Sequence, residues 1–290
     1  MILHPADMNA SAIARARMLS PGAFNAPFSQ RLPLWSLAAA FLGLTAYCIV
    51  LFDMSPLRLW AGMGKMTEVL AQMFPPTAKG AHWDYVYAML QTVGMAFLGT
   101  VIAALLAVPL GFACARNMVP GWMVRFFFRR SSDVLRGVDQ LIWALIFVRA
   151  VGLGPLAGIL AIIISDTGTL AKLYSEAIEN IDRKPVEGTR ASGANAVQTM
   201  RFGVLPQILP IMLSNALYIF ESNIRSATIL GIVGAGGIGF FLADRIRTLL
   251  WEEACFILLL ILGTVYLVDW LSKLVRTRLI RGQDQAPALH

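Results

Sequence analysis

Apolar residues in this chain arrive in runs of about twenty, and charged residues fall mostly in the intervals between them. A helix rises 1.5 Å per residue, so one such run crosses roughly 30 Å of hydrocarbon. The runs are Leu34–Phe52, Tyr87–Phe112, Val138–Val148, Leu153–Leu173, Pro206–Leu230 and Ala254–Leu271. The third is short, which predicts a span that is broken or tilted, or that starts earlier in the chain. Pro109 lies inside the second, where neighbouring helices in a membrane bundle accommodate it. The expected fold class is therefore an all-α membrane protein with about six transmembrane helices. Composition agrees: 57% of residues are hydrophobic and 14% charged, whereas soluble domains carry about 25% charge.

The net charge of +7 does not point to nucleic acid, because the basic residues form no single patch. Most lysines and arginines fall in alternate intervals: Arg15, Arg17 and Arg31; Arg116 to Arg136; Lys172 to Arg201; and Lys273 to Arg281. The positive-inside rule then predicts cytoplasmic N- and C-termini. Residues 1–33 are expected to be a cytoplasmic segment without a cleavable signal, since no small-x-small site follows the first run. Residues 281–290 are expected to be a flexible tail. The stretch 55–80 carries Leu57, Leu59, Met63, Met66, Leu70 and Met73 at roughly helical spacing. That pattern fits an amphipathic helix on the outer surface as well as a covered loop helix.

Catalytic chemistry has few candidates. His4, His82 and His290 are scattered, and Cys48, Cys114 and Cys255 lie in or beside apolar runs with no CxxC pair. They read as small buried hydrophobes. "GIVGAGGIGF" (231–240) lacks the GK[ST] ending of a phosphate loop; its small residues suit a backbone turn and close helix approach. No catalytic, cofactor or metal site is expected in this chain.

The most informative polar interval is Lys184–Pro206, "KPVEGTRASGANAVQTMRFGVLP". Pro185 and Glu187 suit the start of a helix. Val186, Ala194, Val197 and Met200 recur at helical spacing, and Gly193 in the middle predicts a bend. Gly203 and Pro206 are expected to stop the helix before the next span. The result is a short two-part helix too polar to span. From the residues alone, docking into a groove of another protein and lying on the membrane surface stand level.

This interval resembles the "EAA" loop of bacterial ABC importer permeases: Glu-Ala-Ala, three residues, Gly, nine residues, then Ile-x-Leu-Pro. Glu187, Gly193, Leu205 and Pro206 match at that spacing, while Gly188 and Thr189 replace the alanines and Gly203 the isoleucine. "WALIFVRAVGLGPLAGILA" (143–161), "YSEAIENID" (174–182) and "YIFESNIRSATILGIVGAGGIG" (218–239) resemble the phosphonate-type permeases, with Arg149 a departure from the small or apolar residue expected there. The resemblance implies the type I importer permease fold, with a transmembrane domain over 34–280, its core at 84–275, and a coupling helix over 186–202. In that helix and just after it, Glu187, Gly193, Ala194, Val197, Leu205 and Pro206 would engage an ATPase. It further implies a second permease copy, two ATP-binding subunits holding ATP and Mg, and a substrate-binding protein. A phosphonate, phosphite or related phosphorus oxyanion would be the cargo, at the bacterial inner membrane.

Ionisable residues inside spans usually face the bundle interior or a water-filled cavity. Glu221, Asn223 and Arg225 lie in the fifth run and Asp166 in the fourth. Glu221 and Arg225 are four apart and so are expected to pair on one helix face. Arg149, Arg225, Arg245 and Arg247 all fall toward the outer side. As fixed-charge planar forks they would suit an oxyanion. Alternatively, Arg225 only neutralises Glu221, and Arg245 and Arg247 pair with Asp244, Glu252 and Glu253. The competing class is an ATPase-independent secondary transporter or channel. Such proteins often show inverted repeats, and none is visible in this sequence.

Overall fold

The computed structural model describes residues 28–119 and 121–284, together with Met18, and every regular element among them is helical. The chain divides into two units, Met1–Leu70 and Ala71–His290.

The described part of the first unit is a pair of helices, α1 (Phe28–Leu51) and α2 (Pro56–Gln72, whose last residues extend into the second unit). They meet at 55°. The corner has a local cause. Asp53 sits at φ 50° and takes the guanidinium of Arg58. The hydroxyl of Ser55 accepts from the Arg58 amide at 3.3 Å, and Pro56 supplies the fixed φ favoured in a first helical turn. The helix expected within 55–80 is α2. It buries no side chain, and Leu57 and Trp60 are 82% and 75% exposed.

The second unit holds α3 (His82–Cys114), α4 (Trp122–Gly137), α5 (Gln140–Val151), α6 (Pro155–Glu179), α7 (Arg183–Ala191), α8 (Ala196–Thr199), a π-helical turn (Met200–Val204), α9 (Leu205–Ile232), α10 (Ile238–Arg247) and α11 (Trp251–Asp284). Four helical stretches are long and apolar enough to cross a bilayer: α3, α6, the continuous Ala196–Ile232, and α11. Counted as one span, the bent α1–α2 pair would make a fifth. The protein is an integral membrane protein.

The expected third span is where the count departs from six. α5 has only 12 residues, about 18 Å of helix, too short to cross. The side chain of Asp139 accepts from the Leu141 amide at 2.8 Å and starts the helix afresh. Both α4 and α5 pack on α6, so a broken pair lies along one long helix. At the C-terminus, helix continues to Asp284, past the boundary expected at 280. The remaining expectations for residues 1–27 and 285–290 fall outside the described residues, apart from Met18.

The most extensive packing is α3 against α6. Small residues make it close: Ala96, Ala103, Ala107, Ala157, Ala161 and Ala171 are fully buried. In lipid no hydrophobic drive separates helix from tail, so close van der Waals approach across small side chains holds the pair. The glycine-dense 231–240 stretch is a tight turn from α9 into α10. A Cβ on Gly239 would stand 1.8 Å from the Thr228 carbonyl oxygen, so only glycine fits. The first amides of α10 find partners on α3: Gly237 N donates to Gln91 Oε1 at 3.0 Å and Ile238 N to Thr92 Oγ1 at 2.9 Å.

Candidate functional site

Three groups of polar residues stand out. The first is the segment from α7 to the start of α9. Asp182 caps α7 by accepting from the Lys184 amide at 3.1 Å. Gly193 breaks the helix at φ +83°, a conformation that glycine takes without the Cβ penalty. Asn195 and Gln198 then form a reciprocal capping box on α8 at 2.9 Å each. Glu187 is exposed, Val197 is 75% exposed, and Ala194 is half-buried against Thr189 through a 3.3 Å backbone bond.

The expectation that Gly203 and Pro206 stop the helix is corrected. Helix runs unbroken from Ala196 to Ile232. Proline lacks an amide donor and normally breaks a helix interior. Here the π-helical turn over Met200–Val204 precedes it, and Pro206 falls in the first turn of α9. Leu205 and Pro206 are exposed at that junction. Gly203 has a role that the sequence reading missed: a Cβ there would lie 2.7 Å from Thr189 Oγ1 and 3.2 Å from Val186 Cα. The backbone of α7 therefore rests on the π-turn. The two departures at Thr189 and Gly203 fit each other, a larger residue on α7 facing a smaller one on the turn. Beside this contact is a cavity of about 500 Å³ lined by Asn117, Glu179, Arg183, Glu187, Arg190 and Thr199, among others.

The second group is buried within the bundle. Asn223 on α9 donates to Asp166 on α6 and to Thr100 Oγ1 on α3 at 2.8 Å, and Gln140 Nε2 on α5 reaches Asn223 Oδ1 at 3.4 Å. Four helices thus meet on one amide. Of the expected pathway residues, Asp166 and Asn223 are brought together, and both are buried. Thr100 and Gln140 were not singled out, because hydroxyls and amides in apolar runs carry little signal until their partners are known.

The third group joins α9 to α11. Glu221 and Arg225 do not pair with each other. Both carboxylate oxygens of Glu221 accept from Arg276 Nη2 at 3.0 Å, and Arg225 Nη1 stands 3.6 Å from Asp269 Oδ2. Each side chain points at the neighbouring helix, where an opposite charge exists at the same level, instead of along its own. Asp269 was visible as a carboxylate inside the last apolar run; its significance lay in the partner.

The pairing also moves Arg225. Asp269 is two residues from the Leu271 end of its run, whereas Arg245 contacts Glu253 in the first turn of α11. Those acidic residues are 16 positions apart, about 24 Å of helix. The expected grouping of four arginines on one side is therefore corrected: Arg225 lies near the middle of α11 and Arg245 at its start. Arg247 stays near the α10 end, lining a cavity with Leu145 and Asp244. Arg149 is exposed in the last turn of α5, one turn beyond Leu145.

At the α10 end, Arg245 Nε is shared between Glu253 Oε2 at 2.9 Å and the Tyr85 hydroxyl at 3.0 Å, while Nη1 reaches Asp244 Oδ2 at 3.0 Å. The Tyr85 hydroxyl donates to Glu253. The bond to Tyr85 raises the Arg245 guanidinium above its ordinary value, and a guanidinium is in any case always charged in a protein. Lys79 adds an ion pair to Glu252 at 3.0 Å.

These features define a membrane-embedded helical bundle with an exposed two-part helix rigidly joined to one of its long helices. That is the fold of ABC importer permeases. The bundle resembles the inward-facing methionine transporter MetNI with a TM-score of 0.62, at 20% identity over 70% of this chain and 99% of that one. It also resembles an amino acid ABC transporter solved with histidines, with a TM-score of 0.57 at 18% identity, over 75% and 97%. Residues 107–281 match the family described as binding-protein-dependent transport system inner membrane component, and the chain belongs to that family. Among its relatives is a phosphate-import permease protein PhnE of Mycolicibacterium smegmatis, 37% identical over 95% of this chain; the chain spans 52% of that relative's length. Another is the phosphite transport system permease protein PtxC of Stutzerimonas stutzeri, 38% identical over 74% of this chain and 78% of that one.

Proposed function

We propose that this chain is the permease subunit of an ATP-driven importer for a phosphorus oxyanion: phosphonate, phosphite or a close relative. Two copies form the pathway on a twofold axis in the bacterial inner membrane, with both termini cytoplasmic. Two ATPase subunits, which carry the ATP and Mg, grip the segment 186–202 of each copy, and a substrate-binding protein delivers the anion from the other side. The chain itself hydrolyses nothing. The relatives named for phosphate and phosphite transport support the cargo class.

The observation that carries the mechanism is the unbroken helix from Ala196 to Ile232 with α7 seated on its π-turn at Gly203. A push on α7 or α8 travels into α9 without crossing a flexible joint. α9 holds Asn223 in the four-helix cluster and Glu221 and Arg225 on α11, so its displacement strains both sets of contacts at once. Alternating access needs two arrangements of similar energy, and a change of partners along α9 supplies them. Glu187, Gly193, Ala194 and Val197 are the contact surface for the ATPase, with Leu205 and Pro206 fixing the exit into α9. Arg225, half-exposed and held by a single 3.6 Å contact, is the pathway residue, with Glu221, Asn223, Asp166 and Arg149 as further candidates.

The test is uptake of labelled phosphite, methylphosphonate and phosphate into vesicles, with and without the cognate ATPase. ATP-dependent uptake of one of them is expected. Uptake that proceeds without the ATPase would place the chain among secondary transporters or channels. Gly193→Trp is expected to abolish ATP-driven uptake and co-purification of the ATPase; normal uptake by that variant would remove the docking role.

A further inference from the structure

Between α4 and α6 lies a second cavity, of about 320 Å³, lined chiefly by Arg129, Arg130, Arg136, Lys172, Asp133 and Glu176. Four cations face two carboxylates. Asp133 is divided between Arg130 at 3.3 Å and Arg136 at 3.0 Å, and Glu176 reaches Lys172 only at 3.8 Å. Arg129 is engaged from outside this set, by Glu179 at 2.7 Å and the Cys114 carbonyl at 3.1 Å. The cavity therefore keeps an excess of positive charge that its own acids do not neutralise.

Its position fits a membrane surface. Lys172 is seven residues, about 10 Å, from the end of α6 at Glu179, close enough for its long side chain to extend its ammonium to the headgroup layer. α4 continues the same surface with an apolar face: Trp122, Met123, Phe126 and Phe127 are 55–69% exposed. A basic helix with an exposed aromatic face is the composition of an element lying in the interface. The two faces meet where the Arg130 guanidinium stands 5.5 Å over the Phe126 ring.

We infer that this cavity binds the headgroup phosphate of an anionic phospholipid, with Arg130 and Lys172 at its mouth and the acyl chains along Phe126 and Phe127. Basic pockets between membrane helices take such headgroups by charge complementarity. The bound lipid clamps α4 to α6. Glu179, which also accepts from the Arg116 amide at 2.8 Å, ties that clamp to the turn leading into α7.

The inference rests on the membrane placement proposed above. Its test needs neither ATP nor transport, so its failure is separable from failure of the importer reading. The full chain is reconstituted into vesicles of equal parts phosphatidylcholine and phosphatidylglycerol, re-extracted in mild detergent and weighed by native mass spectrometry. Selective retention of phosphatidylglycerol is expected. R130Q/K172Q is expected to lower that retention about thirtyfold, from about 1 kcal/mol per basic side chain at a membrane surface. Both side chains are substantially exposed, at 64% and 44%, so the fold should survive. R125Q removes a charge of α4 away from the cavity and is expected to retain the lipid as the parent does. Equal retention of both lipids, undiminished retention by R130Q/K172Q, or an equal loss in R125Q overturns the site. Binding of millimolar inorganic phosphate to lipid-free protein, lost in R130Q/K172Q, without phosphatidylglycerol retention, overturns the lipid assignment in favour of a free-anion site.

Discussion

The start and the middle of α11 hold their charges in opposite ways. At the α10 end, Tyr85 is fully buried, the Glu253 side chain is 8% exposed and Arg245 is 24% exposed, and every partner is within 3.0 Å. Near the middle, Arg225 and Asp269 are 51% and 45% exposed and 3.6 Å apart, with the exposure of Glu221–Arg276 intermediate between the extremes. A charge network that is dry and fully satisfied has one good geometry, because displacing any member leaves a buried charge uncompensated. A half-exposed pair at long range has many geometries of similar energy. The α10 end is thus a fixed clamp joining α3, α10 and α11. The Arg225–Asp269 pair is the loosest charged contact between α9 and α11, with Glu221–Arg276 one turn away holding the two helices more firmly.

That contrast breaks most readily at Glu253. Glu253→Ala leaves Arg245 facing the Tyr85 hydroxyl with only Asp244 beside it, and is expected to cost about 3–5 kcal/mol. Thermal unfolding of the purified protein in detergent reads the loss. A cost no larger than that of Asp269→Ala would erase the distinction between the two sites. Tyr85→Phe keeps the ring and removes one donor to a charged group, so a smaller loss of about 1.5–3 kcal/mol is expected.

The middle of the ladder sharpens the comparison. Glu221 is 13% exposed and takes both of its bonds from one Arg276 nitrogen. Glu221→Arg is expected to destabilise strongly by setting two guanidiniums together, and Glu221→Arg/Arg276→Glu to recover part of the loss. A coupling of about 1–3 kcal/mol in the double-mutant cycle is the expected result. Zero coupling would show that the contact seen between α9 and α11 carries no energy.

Much of this organisation was legible in the sequence. The apolar runs located four long helices, because burial in lipid is decided by composition over twenty residues. The bend at Gly193 was legible too, since glycine between helical patterns has few other uses. What composition does not encode is pairing across helices. Glu221 and Arg225, read along one helix, look like partners; the neighbouring helix decides otherwise by offering Asp269 and Arg276 at the right levels. Gly203 was read as the replacement of an isoleucine and a helix stop, when it is the gap into which α7 fits. Pro206 was read as a stop, and the π-turn ahead of it, which no residue pattern announces, lets the helix pass. The shortness of the third run announced a broken span, but not the position of the break at Asp139, because the charged α4 that precedes it does not look like part of a span.

The smallest expected change in stability is at Arg225, and it is the most informative about transport. Arg225→Ala removes a contact that is half-exposed and 3.6 Å long, so a cost below about 1 kcal/mol is expected. If the α9–α11 contact is the movable one, the same substitution has a much larger effect on uptake than on folding, because a cation presented to the pathway contributes to anion passage whether or not it stabilises the bundle. Arg225→Lys separates the two ways in which that cation acts. Lysine keeps the charge and loses the planar fork that engages an oxyanion through two parallel bonds. Uptake restored by Lys means that charge alone matters; uptake still low, with protein of normal thermal stability, means that the fork does. Normal uptake by Arg225→Ala would assign Arg225 to the bundle alone and leave the half-exposed pair as packing between α9 and α11.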